Sequence, residues 1–135
     1  MKDSITIKSA HGSNLMELFG CDGDYFKVTL SGPSVHGTAQ VYSFEPRPTC
    51  LAGFFRDLAV HWRGWTGKKE WPSLEGELAL AATCDSTGHT SLRICLKSGP
   101  YSSDWSLSVG LAIEAGQLEG IAEQVESFIG HHHEL

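Results

Sequence analysis

Two apolar rows in one short stretch restrict the fold of this chain more than any other feature. From Leu74 to Leu96 it reads LEGELALAATCDSTGHTSLRICL, with Leu78, Leu80 and Ala82 at every second position and Leu92, Ile94 and Leu96 repeating that spacing after a polar break. A spacing of two is that of one face of a β-strand. Both rows share a face only if Ala82 lies opposite Leu92, Leu80 opposite Ile94 and Leu78 opposite Leu96, closed by the loop Ser86-Thr87-Gly88. A slip of one residue would turn one row outward. Gly88 then falls where such a loop needs a left-handed residue. The stretch is predicted to be an antiparallel hairpin.

That register sorts the reactive-looking groups. Cys84 lies on the apolar face and Cys95 on the other, so the two cannot bond within the hairpin. Glu77 falls opposite Lys97, a cross-strand charge pair, and Asp85 opposite His89 at the mouth of the turn. An Asp-His pair can orient an imidazole for catalysis, but at a hairpin tip it is more simply a solvated hydrogen bond. Glu75 and Glu77 share a face, as carboxylates that divide acid and base roles do. No histidine at ligand spacing joins them, so no metal site is expected. The second face of the last three strands carries small residues such as Ala79, Ala81, Thr83, Ser91, Ser108 and Gly110. It is either a solvated face or a flat surface for a partner or second subunit.

The rest of the chain completes an α+β pattern. Four strands come first: SITIKS; LMELF; DYFKVTLSG, with Phe26, Val28 and Leu30 on one face; and VHGTAQVYSF. Asp22-Gly23 marks a two-residue hairpin turn. Leu51, Phe54, Phe55, Leu58, Ala59 and Trp62 form a helical stripe from Cys50, with Thr49 as N-cap and Gly64 as terminator. After the connection WRGWTGKKEWP come strands over Leu74–Asp85, His89–Lys97 and Trp105–Glu114. A closing helix buries Leu118, Ile121, Ala122, Val125, Phe128 and Ile129, and carries Glu119, Glu123 and Glu126 outside. The order β-β-β-β-α-β-β-β-α has no βαβ alternation, so a mostly antiparallel sheet with two helices packed on one face is expected. No internal repeat is visible. Residues 1–130 are expected to form a single domain, and 131–135, with His131, His132 and His133, are set aside as a tail that is either native or of the kind expression tags produce.

Composition narrows the function classes. A net charge of −6 and a pI near 5.5 argue against a nucleic-acid binder, whose affinity comes from Lys and Arg neutralising phosphates. Trp65, Trp71, Lys68 and Lys69 could stack and pair with a strand, but two tryptophans flanking a loop more simply pin it to the domain. No apolar run reaches the roughly 18–20 residues that cross a bilayer, and MKDSITIKSA has no secretory apolar segment, so a cytoplasmic protein is expected. The four cysteines form no C-x-x-C pair and are read as free thiols. No G-x-S-x-G elbow, phosphate loop or calcium loop is present. His61, near the end of the first helix, is read as structural.

The stretch from Gly53 to Leu96, with F-F-x-x-L-A, W-R-G-W, S-L-E-G-E-L and D-x-x-G-H, resembles the core of a bacterial family of short uncharacterised proteins, a likeness running from about Tyr25 to the end of the second helix. More distantly it is similar to WapI-type immunity proteins, which share an S-x-E-G-x-L-x-L strand, a G-H turn, another strand and a closing helix. The first resemblance implies architecture without catalytic residues. The second implies a protein that binds and neutralises a toxin domain.

The leading expectation is therefore a non-enzymatic protein-binding module, with no catalytic, cofactor or metal residues. Its partner-binding candidates are Glu75, Glu77 and His89 on the sheet and Glu119, Glu123 and Glu126 on the last helix. The alternatives are a small enzyme using His89 with Asp85 and Glu75 or Glu77, and a homodimeric accessory subunit.

Overall fold

A computed structural model of the chain describes residues 4–22, 24–42, 50–99, 101 and 104–133, with side chains in the closing helix as far as Ile129. Within these residues eight strands and two helices follow in the order β1 (Ser4–Lys8), β2 (Leu15–Asp22), β3 (Tyr25–Ser31), β4 (His36–Tyr42), α1 (Leu51–Val60), β5 (Lys69–Pro72), β6 (Leu78–Cys84), β7 (Thr90–Lys97), β8 (Ser106–Ile113) and α2 (Ala115–His133). The fold is α+β and every strand pairing is antiparallel. The strands divide into two four-stranded meanders, sheet A (β1-β2-β3-β4) and sheet B (β5-β6-β7-β8). Each meander is followed by a helix, so the two halves share one topology that no sequence repeat announces.

The predicted register holds through the hairpin: Leu78 opposite Leu96, Leu80 opposite Ile94, Ala82 opposite Leu92. Gly88 adopts φ +87°, the left-handed conformation the loop requires. The inner rows of both sheets and the stripes of both helices form one core. Fully burying a Leu or Ile side chain stabilises by about 1.5–3 kcal/mol, and Leu18, Leu30, Leu58, Leu78, Ile94 and Leu96 are all completely covered. Phe26 of sheet A meets Phe128 of α2 edge to face at 6.0 Å.

Several local expectations need correction. The connection before the hairpin contains β5, paired to β6 with Trp71 opposite Leu80. The following strand starts at Leu78 rather than Leu74, because Ser73 to Glu77 form the turn between them. Ser73 N–H donates to Leu78 O at 2.7 Å, Gly76 N–H to Ser73 O at 3.0 Å, and Ser73 Oγ accepts from Leu78 N–H at 3.1 Å. The S-L-E-G-E-L motif is thus a hairpin loop organised by a buried serine. In sheet A, Asp22 pairs with Tyr25 and so belongs to β2 rather than to the turn; Gly23 lies outside the described residues.

Helix α1 begins at Leu51 with Cys50 at its N-cap and no side-chain cap; Thr49 lies outside the described residues. It ends at Val60, where Gly64, at φ +123°, donates its N–H to His61 O at 2.9 Å. Trp62 therefore falls beyond the helix and is exposed, off the buried stripe. Helix α2 buries all six residues expected of it and runs on to His133, through three residues of the tail. Among the described residues no helix is long and apolar enough to cross a membrane.

Candidate functional site: the outer face of sheet B

Antiparallel pairing fixes what lies side by side on the outer face of sheet B. Reading across β6, β7 and β8, its rows are Ala79-Cys95-Ser108, Ala81-Arg93-Gly110 and Thr83-Ser91-Ala112. Continuing the register one step beyond the strands brings Asp85, His89 and Glu114 together at one end. At the other end lie Glu77, Lys97 and Ser106. Between them is a shallow depression of about 490 Å³, walled on one side by Ser9 and His11 from the β1–β2 turn. Its floor is small and uncharged, with one exception. Arg93 is exposed and lies over Gly110, where a β-carbon would stand 3.6 Å from Cζ. The hydrogen bonds and ion pairs of the described residues include none to the Arg93 side chain.

The end with the histidine is built from the turn outward. Asp85 Oδ1 accepts from the Thr87 hydroxyl at 2.7 Å, Thr87 N–H at 2.9 Å and His89 N–H at 3.0 Å. These bonds, the Thr87 hydroxyl foremost and the His89 amide next, hold the Asp85 carboxyl down at about 2. The His89 ring bridges two carboxylates, with Nδ1 3.4 Å from Asp85 and Nε2 3.3 Å from Glu114. Thr87 Oγ1 also lies 2.9 Å from Nδ1. The other oxygen of Glu114 is 3.6 Å from His11 Nε2. Glu114 is placed by the start of α2, where its N–H donates to Gln117 Oε1 at 2.8 Å and its carbonyl accepts from Gln117 N–H at 2.9 Å. This reciprocal pairing resembles a capping box. All four side chains of the chain His11-Glu114-His89-Asp85 are solvated, so it orients rings more than it stabilises.

The expected site residues separate. Glu75 is exposed on the β5–β6 turn. Glu77 is engaged structurally: its carboxylate accepts from Ser73 Oγ at 2.9 Å and from Tyr42 N–H at 3.2 Å, tying sheet B to the edge of sheet A. Seven residues of strand, hence eight residue steps, separate Glu77 from Asp85, on the order of 27 Å, so neither glutamate reaches His89. The place foreseen for them is taken by Glu114. On α2, Glu119 and Glu126 are both held by Arg56 of α1, at 2.8 Å to Glu119 and at 2.8 and 2.9 Å to the two oxygens of Glu126. These bonds, Glu126 first, raise the guanidinium still further above its ordinary range. Glu123 alone of the three remains exposed with no ion pair among the described residues. Arg56 thus engages two of the three acidic side chains of α2 and offsets one of their three charges.

Trp65, Trp71, His61 and the cysteines lie as expected. Trp65 Nε1 donates to Ala82 O at 3.2 Å and Trp71 is buried, so both pin the connection to sheet B. His61 caps α1 and pairs with Asp57 at 3.1 Å. All four cysteines are free, and burial pushes the Cys21 thiol up to about 11. Among the described residues no group of three or more His, Cys, Asp or Glu side chains could hold a metal ion.

Sequence reasoning missed Arg56, Arg93, His11 and Glu114. The last was accessible, since extending the β7–β8 register past Ile113 places Glu114 beside His89. His11 and Arg56 were not, because their partners lie about 100 and 60–70 positions away with no pattern linking them.

No curated protein and no solved structure matches the chain, and the distant likeness to immunity proteins therefore gains no support from these comparisons. The profile of a family of unknown function, DUF6228, matches residues 11–132. That span includes β2 to β8, α1, all of α2 but its last residue, and every residue of the outer-face site except Ser9; the chain belongs to the DUF6228 family.

Proposed function

We propose that this protein is a non-enzymatic binding module that presents the outer face of sheet B to another protein, in the manner of an antidote that occludes a toxin domain. One observation carries the reading: an exposed, concave sheet face of small residues with one guanidinium at its centre, Arg93, unpaired among the described residues. A solvated antiparallel face ordinarily carries large polar and charged side chains. Small residues let a partner's backbone approach closely, and arginine is enriched among the residues that dominate binding energy. The net charge of −6 supports fast encounter with a basic partner, while Arg93 fixes one contact on arrival. A cytoplasmic address belongs to this reading, because four unpaired thiols suit a reducing compartment.

The test is capture of a stoichiometric partner from the native host at low and moderate salt, followed by titration of the purified pair. Arg93→Ala is expected to weaken binding by about tenfold or more. A partner whose affinity ignores Arg93 and is blocked only by changes on α2 would move the interface elsewhere. Absence of any partner at either salt would remove the reading.

A second reading has its own observation, His89 held between two carboxylates. It makes His89 an acid–base group with Asp85 and Glu114 as orienting partners. Turnover of any substrate in a hydrolase and lyase panel, abolished in His89→Ala with the fold intact, would establish it.

A further inference from the structure

Each sheet of this protein ends in a strand whose outer edge is only half covered. In β8, Trp105 O accepts from Ser98 N–H at 3.1 Å, so odd-numbered residues turn their backbone groups to β7 and Ser106, Ser108, Gly110 and Ala112 turn theirs outward. The upper part of that edge is capped by the β1–β2 turn. Ala112 N–H donates to Ser9 Oγ at 2.9 Å, Ala112 O accepts from Ala10 N–H at 2.7 Å, and Gly110 O accepts from Asn14 Nδ2 at 3.0 Å. The lower part, the N–H and C=O of Ser106 and Ser108, has no such partner among the described residues. In β4, Gly32 N–H donates to Val35 O at 2.9 Å, so His36, Thr38, Gln40 and Tyr42 point outward. Its upper end is capped by Glu77 on Tyr42 N–H.

The two open half-edges meet. Gly37 of β4 packs against β8, where a β-carbon would stand 2.9 Å from Leu107 Cδ2 and 3.4 Å from the Trp105 ring. Beside this contact runs a groove of about 620 Å³ lined by residues 34–38 and 105–107, with Trp105 exposed on its wall. Among the described residues no Asp, Glu, Lys or Arg lines it, and β8 carries no charge from Ser106 to Ile113. The other two edge strands are guarded in the usual way: β1 is short and ends in Lys8, and β5 is four residues with Lys69, Glu70 and Pro72. An uncharged edge with unpaired backbone groups and neither Lys, Pro nor bulge is a template for strand addition.

Resting on the reading of the protein as a binding module, we infer that its partner is bound by β-strand addition, as a single extended, uncharged segment laid along Ser106 and Ser108 in this groove. Backbone groups of the segment satisfy those of β8, and its apolar side chains lie against Trp105 and Leu107. A second copy does not fit the edge as a slim segment does. Among the described residues the free stretch of edge covers only Ser106 and Ser108, with Ser9 and Asn14 seated on the strand beyond it, so it takes a short segment and not the full length of a second β8.

The test has a free-protein arm and a bound arm. Without ligand, the Ser106 and Ser108 amides are expected to exchange with deuterium much faster than those of Leu107, Val109 and capped Ala112. Equal protection would mean the edge is already covered and would overturn the inference. The bound arm uses synthetic peptides selected on the full chain from a phage-displayed library of unconstrained linear sequences. Selected peptides are expected to be uncharged, to bind a monomer one to one and to shift the Ser106 and Ser108 amide resonances. Ser108→Pro removes only an outward N–H, which an edge strand tolerates, and should cost about tenfold in affinity. N-methylating the peptide on residues facing β8 should do the same with the protein unaltered, and methylating the alternate residues should not. Peptides that shift other surfaces, affinity that survives both changes, or a dimer that buries β8 would each overturn it. A partner that still binds through Arg93 in that event leaves the binding-module reading standing.

Discussion

Asp85 illustrates how a residue that looks catalytic can be explained by its turn. Its carboxylate closes the β6–β7 loop by accepting from Thr87 and His89. Those bonds are stronger to the ionised form than to the neutral one, which is why the group is lowered from 3.8 to about 2. A carboxyl lowered on folding contributes stability that is complete above its unfolded value and is lost as pH falls through its folded one. The window therefore runs from about pH 4 down to about pH 2. Asp85→Asn, with a neutral and weaker acceptor, should melt below the wild type near pH 5, and the gap should close as pH approaches about 2. A gap that is the same at both ends would show that the charge of Asp85 does not hold the turn. His89 inherits its orientation from this turn on one side and from Glu114 on the other.

At the scale of elements, the hairpin tip and α2 are locked by close approach. Gly88 and Gly67 both have positive φ, +87° and +78°, so alanine at either is strained by about 1 kcal/mol. They differ in surroundings. A β-carbon at Gly67 would meet nothing within 4 Å, whereas at Gly88 it would stand 3.0 Å from Ala115 Cβ at the start of α2. Gly88→Ala should therefore cost about 1–3 kcal/mol more than Gly67→Ala in urea unfolding, and Ala115→Gly should restore part of that difference. Equal costs would mean the tip is not packed on the helix. The hairpin itself was legible because two apolar rows and one left-handed glycine agree on a single register. Strand β5 was not, because a four-residue edge strand with one buried side chain, Trp71, and with Lys69, Glu70 and Pro72 reads as a loop. The charges that protect an edge also hide it. The site was legible only where it follows from that register. His89 and Asp85 were placed correctly, and the carboxylate beside them was not, since it comes from the end of the next strand.

The whole molecule repeats one device in its two halves. Each meander's last strand has its upper edge closed by the first turn of the other meander: β8 by Ser9 and Asn14, β4 by Glu77. This reciprocal capping explains why two separate sheets, rather than the single sheet expected from the strand order, hold together around one core. It also divides each edge into a sealed half and an open half, and the open half of β8 is walled by β4. Sealing matters because an uncharged edge of eight residues is otherwise a site of uncontrolled pairing. Ser9→Ala combined with Asn14→Ala should unseal β8 while leaving both inner faces untouched. Compared with the wild type, the Ala112 amide should then exchange faster, and the weight-average mass in sedimentation should rise with concentration. Neither substituted side chain lies in the hydrophobic core, so the cost in stability should stay near the ~1–2 kcal/mol of lost hydrogen bonds. If Ala112 exchange and mass both stay at wild-type values, the turn only rests against β8, and the sheets are joined by their shared core alone.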